Sequence, residues 1–171
     1  MNWEALLSDE RLAAIPLEEF DKELRDEFEK DQQTVIQSAA FRRLQDKTQV
    51  FPLDKNDFVR TRLTHSLETA FTAKQLANLT RKRLKKYNRV SMHETESMPD
   101  ILFCAGLLHD IGNPPFGHFG ETIIRDWFRN HLKELMYGEE SVYSLLSKQQ
   151  RMDLENFEGN AQALRSILKL P

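Results

Sequence analysis

Apolar residues recur at intervals of three and four along most of the chain, which is the spacing of one face of an α-helix. The longest such row begins near Thr61 and ends at the edge of a basic run, and it predicts one long helix. Its members are Leu63, Leu67, Ala70, Ala73, Ala77, Thr80 and Leu84. No segment alternates between apolar and polar residues for long enough to predict a strand. The pattern therefore predicts an all-α protein.

Two helices are predicted before this long one. Pro16 and the acidic stretch that follows it are typical of a first-turn proline and an exposed helix. A second helix is predicted from about Asp31 to Gln45, because apolar residues there stand at i, i+4 spacing. The apolar residues concerned are Val35 and Ala39 on one row, and Ile36, Ala40 and Leu44 on the next. The segment FPLDKND (residues 51–57) then predicts a turn.

Three further helices are predicted in the second half of the chain. Residues Ile101 to Leu108 are almost continuously apolar or small, which predicts a helix buried on all sides. The segment GNPPFG (residues 112–117) predicts an irregular, rigid loop after it. Two amphipathic helices follow, and their apolar residues are Ile123, Ile124, Trp127 and Phe128 for the first and Ala161, Leu164, Ile167 and Leu168 for the second.

Composition and charge narrow the possible functions. With 171 residues, of which 40% are apolar, the chain can bury a core. Its net charge of −3 argues against a general polyanion binder. The segment Arg81 to Arg89 nevertheless holds six cations and no acid. It is interpreted either as a solvated helix end, which favours cations, or as a contact for phosphates of a nucleotide or a single-stranded nucleic acid.

Cellular context is predicted from what the chain contains. The single cysteine, Cys104, lies in an apolar run and is expected to act as a small buried hydrophobe in a reducing compartment. The first residues are acidic rather than basic, and no apolar stretch approaches the roughly 20 residues of a membrane span. We therefore expect a soluble, cytoplasmic protein without membrane contact.

Three ionisable residues are candidates for a metal site. His109 and Asp110 end the most apolar predicted helix, where burial without a partner or a metal is costly. His65 lies within the long helix beside its inward row. If the two helices pack antiparallel, all three side chains can reach one divalent cation. Imidazole and carboxylate ligands suit manganese, iron, cobalt, zinc or magnesium.

His118 and Glu121 form a second candidate pair. At i, i+3 spacing they share one helical face, so an imidazole and a carboxylate can act together as acid, base or water-orienting groups. The alternative for Glu121 is a first-turn acid that complements the dipole of its own helix.

Four segments together resemble one family. TRLTHSLE (Thr61 to Glu68) and GLLHDIGNPPFGHFGE (Gly106 to Glu121) resemble the HD-domain phosphohydrolases, in particular the deoxynucleoside triphosphate triphosphohydrolases of the bacterial deoxyguanosine triphosphatase type. SAAFRRLQDKTQVFPL (Ser38 to Leu53) and FEGNAQALR (Phe157 to Arg165) resemble two further signatures of that family. The resemblance implies a helical HD-domain bundle, incomplete at its C-terminal side, over residues 31–171, with an N-terminal helical segment over residues 1–30.

The resemblance also implies residue roles. It implies one divalent metal ion, Mn²⁺, Mg²⁺ or similar, bound by His65, His109 and Asp110, with His118 and Glu121 in the catalytic machinery. It further implies a nucleotide pocket lined by Gln49 and Asn160, with Arg43 and Arg62 as candidates for phosphate contact. The implied reaction is hydrolysis at the α-phosphate of dGTP or another deoxynucleoside triphosphate, releasing the deoxynucleoside and tripolyphosphate. Whether the metal ion or His118 activates the water stays open.

One departure from the family pattern affects the expected activity. The family's fourth metal ligand is an aspartate beyond the GNAQ segment, and the only aspartates after the HD pair here are Asp126 and Asp153. We therefore expect the 171-residue chain alone to be impaired and to associate with further copies. Two alternatives stay open: an HD phosphohydrolase for another nucleotide, and a non-catalytic nucleotide-binding or assembly module.

Overall fold

The computed structural model describes residues 2–8, 10, 27–49, 60–87, 89–91 and 95–169, and most of these are helical. The helices are α1 (Trp3–Leu6), α2 (Glu27–Gln37), α3 (Ala39–Arg42), a 3₁₀ turn (Arg43–Asp46), α4 (Arg62–Lys86), α5 (Met98–Leu108), α6 (Gly117–His131), α7 (Val142–Leu145), α8 (Lys148–Glu155) and α9 (Gly159–Lys169). The predicted all-α class is confirmed. The helix expected after Pro16 and the turn expected at residues 51–57 lie outside the described residues.

The chain divides into two compact units. The first unit consists of Met1–Arg43 and Leu63–His109, and the second consists of Leu44–Arg62 and Asp110–Pro171. The first therefore contains α1 to α3, nearly all of α4, and α5. The second contains the helices from α6 onward. The expected division at residue 30 stays a prediction.

The core of the first unit forms where α2 and α4 lie against α5. Phe103 and Leu107 of α5 are buried, as are Val35 of α2 and Ala70 of α4. Gly106 allows α5 and α4 to approach closely, because a Cβ atom at Gly106 would lie 2.5 Å from the Cα of Ala70. This close approach brings the C-terminal end of α5 beside the first turns of α4.

The predicted second helix is wrong in its extent. The helix that begins at Glu27 ends at Gln37, and a separate short helix starts at Ala39. Ser38 causes the break, because it adopts an extended conformation and its hydroxyl accepts a hydrogen bond from the Phe41 N–H at 3.2 Å. A serine in this arrangement caps the N-terminus of a new helix. Ile36, expected on an apolar row, is exposed.

The expectation that α5 is buried on all sides is also wrong. Phe103, Gly106 and Leu107 are buried, but Leu102 is 38% exposed and Ala105 is exposed as well. The helix therefore packs with one face, and its apolar composition does not translate into complete burial. Cys104, half-buried, donates a weak hydrogen bond from its thiol to the Phe28 carbonyl at 3.7 Å.

In the second unit, α6 lies against α8 and α9. The buried positions of α6 are Gly117, Gly120 and Glu121. Ile123 and Trp127, which the amphipathic pattern placed toward the core, are exposed. The helix packs through its glycine-rich side because glycines permit neighbouring backbone to approach closely.

Two pieces of extended structure were not predicted. Strands β1 (Met136–Tyr137) and β2 (Glu140–Ser141) form an antiparallel hairpin. Two-residue strands are too short to produce a visible alternation of apolar and polar residues, which is why periodicity missed them. An isolated antiparallel bridge joins Thr48 to Thr61. Of the helices in the described part of the chain, none combines the length and the apolar character needed to cross a membrane.

Candidate active site

In the first unit, the structure brings two histidines together. His65 lies in the first turns of α4, and His109 directly follows the last residue of α5. Their Nε2 atoms are 3.3 Å apart. The Nδ1 atom of His109 lies 2.7 Å from the carbonyl oxygen of Gly106. A carbonyl can only accept, so His109 carries its proton on Nδ1 and presents a lone pair at Nε2 toward His65.

The spacing of these two nitrogens fits a shared cation. Two imidazole nitrogens at about 2.0–2.1 Å from one tetrahedral ion lie about 3.4 Å apart, close to the 3.3 Å measured here. Metal-binding histidines usually donate their other ring N–H to a carbonyl or carboxylate, as His109 does to Gly106. The donor set of this unit therefore suits an imidazole-bound divalent metal.

In the second unit, Asp110 is buried and held by two donors. Arg62 donates from Nη1 to Oδ2 at 2.8 Å, and Asn113 donates from Nδ2 to Oδ1 at 2.6 Å. Asp110 follows His109 directly in the chain, so the HD pair joins the two units covalently. The guanidinium lies against Gly117, where a Cβ would be 2.6 Å from Arg62 Nη2. This glycine has a φ of +55°, which few other residues adopt.

A polar pocket of about 380 Å³ opens in the second unit beside Asp110. Its lining residues are Gln49, Arg62, Asp110, Asn113, Phe116, Gly117, His118 and Phe119. The bridge between Thr48 and Thr61 explains part of this lining, since it pairs the backbone just before Gln49 with the backbone just before Arg62. Asp110 and His118 enter the pocket from either side of the GNPPFG loop.

Two buried polar atoms of residues that line this pocket are left unpaired among the described residues. They are the side-chain carbonyl oxygen of Gln49 and the Nε of Arg62. A buried donor or acceptor without a partner typically costs about 1–3 kcal/mol. One unmatched acceptor and one unmatched donor beside the same pocket suit a ligand that offers both a hydrogen-bond donor and an oxygen acceptor.

The structure also brings His118 and Glu121 together. His118 Nδ1 lies 3.1 Å from Glu121 Oε2. The imidazole is 90% exposed, whereas the carboxylate is 4% exposed. The other carboxylate oxygen, Oε1, accepts a hydrogen bond from the Gly159 N–H at 3.0 Å. Because α6 begins at Gly117, Glu121 does not lie in the first turn, so the interpretation as a first-turn acid is wrong.

The remaining candidate residues lie outside this pocket. Arg43 is exposed at the end of α3, and Asn160 is exposed and donates from Nδ2 to Glu158 Oε1 at 2.8 Å. In the run from Arg81 to Arg89, α4 continues to Lys86, and the cations of its last turn point to solvent. Among the described residues, none of this basic run lines the pocket.

Sequence reasoning did not single out two residues that shape the pocket. Asn113 orients Asp110, and Lys47 donates from Nζ to the Asn113 carbonyl at 2.7 Å. The position of Asn113 in a proline-rich loop shortly after the HD pair could have indicated a role for this residue. Lys47 is two residues before Gln49, but no spacing rule links it to residue 113.

The described fold and site place the chain in a known class. Residues 62–161 match the family model described as HD domain, and the chain belongs to the HD-domain family. The chain is 48% identical to a deoxyguanosinetriphosphate triphosphohydrolase-like protein of Listeria monocytogenes serovar 1/2a, over 99% of this chain and 37% of that protein. It is 43% identical to a protein of the same name from Synechocystis, over 99% of this chain and 38% of that protein.

A third relative is named a triphosphohydrolase rather than a triphosphohydrolase-like protein. The deoxyguanosinetriphosphate triphosphohydrolase of Salmonella schwarzengrund is 42% identical, over 82% of this chain and 32% of that protein. The chain thus spans about a third of the length of these relatives and corresponds to an N-terminal portion of them.

Proposed function

We propose that this protein acts in the metal-dependent hydrolysis of dGTP, or of another deoxynucleoside triphosphate, to the deoxynucleoside and tripolyphosphate. The observation that carries the proposal is the pocket lined by His118, Arg62 and Gln49. Arg62 and Gln49 each have a buried polar atom without a partner among the described residues. Membership of the HD-domain family and the names of the relatives support the same reaction class.

The proposed metal ligands are His65, His109 and Asp110. Imidazole and carboxylate ligands suit manganese, iron, cobalt, zinc or magnesium, and the family resemblance favours Mn²⁺ or Mg²⁺ among these. When bound, a divalent cation polarises a phosphoryl oxygen and offsets the charge that develops during phosphoryl transfer. Arg62 and Asn113 orient the Asp110 carboxylate through its two oxygens.

We assign substrate recognition to the two residues with unpaired atoms. The Nε–H of Arg62 can donate to a phosphate oxygen, which is the acceptor that a guanidinium binds best. The carbonyl oxygen of Gln49 can accept from a hydroxyl or amino group of the nucleoside. Both atoms would then gain the partner they lack within the described residues. The family resemblance also implies Asn160 in the nucleotide pocket and Arg43 as a phosphate contact, but neither residue lines this pocket.

We assign proton transfer to the pair of His118 and Glu121. An ionised Glu121 can only accept, so His118 would donate from Nδ1 to Glu121 and present the lone pair of Nε2 to the pocket. In the proposed reaction, water attacks the α-phosphorus and the bond between that phosphorus and the 5′-oxygen breaks. His118 takes a proton from the water or relays one to the 5′-oxygen, which leaves as the hydroxyl of the deoxynucleoside.

The test of this function is the identity of the product. The protein is incubated with dGTP and Mn²⁺, and the phosphorus-containing products are identified by ³¹P NMR. Because the 171-residue chain alone is expected to be impaired, even slow release of tripolyphosphate, with no orthophosphate or pyrophosphate, supports the proposal. Orthophosphate or pyrophosphate instead would favour an HD phosphohydrolase of another kind, and dGTP binding with no product at all would favour a non-catalytic nucleotide-binding module.

One variant distinguishes a role of His118 in proton transfer from a role in metal binding. We expect His118→Ala to lower turnover by about 10²–10⁴-fold, the range typical of general acid or base catalysis. Metal content, measured by elemental analysis of the same sample, should stay at the wild-type level. His131→Ala is the control, because His131 is exposed on the same helix and its Nδ1 bonds the Trp127 carbonyl. Equal loss of metal and turnover would make His118 a metal ligand instead.

Two partner hypotheses go with this function. The cations between Arg81 and Arg89 are proposed as a contact for single-stranded nucleic acid, and the chain is proposed to associate with further copies of itself. The side chains of Lys82, Arg83, Lys85, Lys86 and Arg89 are exposed, which is compatible with such a contact. If Lys85 and Lys86 contact phosphates, neutralising them should flatten the salt dependence of binding.

A further inference from the structure

We infer that Gly159, the first residue of α9, is a positioning residue for His118, acting through Glu121; this rests on the proposed function of that pair. Glu121 uses its two oxygens for two purposes. Oε1 accepts the N–H of Gly159 at 3.0 Å in a buried contact, and Oε2 faces His118 Nδ1 at 3.1 Å. The first N–H groups of a helix lack partners within the helix, so a carboxylate there makes a charge-assisted hydrogen bond.

The contact requires a glycine at position 159. A Cβ atom there would lie 2.1 Å from the side-chain oxygen of Asn113 and 2.7 Å from Oε1 of Glu121. Gly112 contributes from the other side, because a Cβ on it would lie 2.1 Å from the carbonyl oxygen of Gly159. The start of α9 thus occupies a space between the GNPPFG loop and α6 that admits backbone only.

His118 depends on Glu121 for its orientation. Its imidazole is 90% exposed, so packing does not fix the ring, whereas Glu121 is 4% exposed and bonded to Gly159. An ionised Glu121 only accepts, so it fixes the proton of a neutral His118 on Nδ1 and leaves Nε2 as the proton acceptor. A displacement of Gly159 moves the Glu121 carboxylate, so Glu121 no longer holds the proton of His118 on Nδ1.

The test measures which ring nitrogen of His118 carries the proton. Long-range ¹H–¹⁵N spectra of the 171-residue chain, recorded where the imidazoles are neutral, distinguish Nδ1–H from Nε2–H for each histidine. We expect wild-type His118 to be Nδ1–H, and Gly159→Ala to shift it toward the Nε2–H form that free imidazole side chains prefer. His131 is the internal reference, since its Nδ1 lies 2.9 Å from the Trp127 carbonyl oxygen and it does not contact Gly159 or Glu121.

Gly138→Ala is the matched control. Gly138 has a φ of +64° and no atom within 4 Å of its would-be Cβ. An alanine there bears the backbone cost of a left-handed conformation without touching the pair. His118 should keep its wild-type tautomer in this variant. A folded Gly159→Ala protein in which His118 is still Nδ1–H would overturn the inference, as would an equal shift in Gly138→Ala.

A second variant decides the matter if Gly159→Ala does not fold. In Glu121→Gln the amide oxygen can still accept from Gly159 while the amide N–H₂ faces His118. Because that group donates, His118 must accept at Nδ1 and carry its proton on Nε2, which inverts the wild-type tautomer. An unchanged Nδ1–H signature in Glu121→Gln would overturn the inference.

These measurements need neither substrate nor metal, so they are independent of the reaction. A tautomer shift in a protein that forms no tripolyphosphate would support the positioning role and contradict the proposed function. Tripolyphosphate formation with an unchanged tautomer in both variants would support the function and contradict the positioning role.

Discussion

Removing the positive charge of Arg62 should strongly destabilise the protein. Arg62 Nη1 and Asp110 Oδ2 are 2.8 Å apart, and the two side chains are only 6% and 10% exposed. In Arg62→Met the apolar stem is largely kept, but the Asp110 carboxylate is left buried beside an uncharged neighbour. Asn113 still donates to this carboxylate. The perturbation therefore isolates the loss of one buried charge.

The expected magnitude follows from this burial. Breaking a buried ion pair by removing one partner typically costs about 3–5 kcal/mol, because the remaining charge is desolvated and uncompensated. For a chain of this size each kcal/mol lowers Tm by about 2–4 °C, so the expected drop is about 6–20 °C. An exposed pair is screened by solvent and contributes far less.

The assay compares Arg62→Met with Arg165→Met by thermal unfolding in the presence of EDTA. Arg165 Nη2 and Asp153 Oδ2 are 2.6 Å apart, but these side chains are 48% and 28% exposed. Arg165→Met should therefore melt close to the wild-type temperature. Equal melting temperatures for the two variants, or a wild-type value for Arg62→Met, would refute the argument that burial makes the Arg62 pair important.

Two further predictions concern helix packing at Gly106 and the pH dependence of stability at Glu158. Gly106→Ala places a Cβ 2.5 Å from the Cα of Ala70, which cannot withdraw, and should lower the free energy of unfolding by about 1–3 kcal/mol in urea titrations; a wild-type midpoint would contradict this. The hydrogen bond from the Ala161 N–H holds the pKa of Glu158 below its ordinary value of 4.5. A pKa lowered by folding adds stability above the unfolded value that is lost as pH falls through the folded value. Glu158→Gln should therefore be less stable than wild type at neutral pH, with the gap closing below pH 4.5; a gap that does not change with pH would contradict the assignment.

Helix ends with strong local signals could be predicted from the sequence. The apolar run that stops at His109, followed by Gly112 and two prolines, predicted where α5 ends. The break at Ser38 could not be predicted from periodicity, because the apolar spacing continues across it. Local hydrogen bonds decide it instead: the Ser38 hydroxyl accepts from Phe41 N–H and donates to the Val35 carbonyl at 2.8 Å.

Long-range contacts of the site were beyond sequence reasoning. The spacing of His118 and Glu121 predicted that they share a helical face, and they are 3.1 Å apart. The contact of Glu121 with Gly159 joins residues 38 positions apart in the chain. Neither residue type nor periodicity indicates which helix N-terminus a buried carboxylate meets. The resemblance to a family suggested the importance of the GNAQ segment, but the physical reason for its glycine required coordinates.

We propose that His65, His109 and Asp110 hold one divalent metal ion, and Mn²⁺ binding to this chain is the decisive test. Electron paramagnetic resonance titration gives the number of ions bound, and pulsed measurements detect imidazole nitrogens on the ion. We predict one Mn²⁺ per chain with two imidazole nitrogens, one of which is lost in His65→Ala and one in His109→Ala, while His131→Ala binds normally. Binding without imidazole nitrogens, or binding that all three histidine variants leave unchanged, would contradict it.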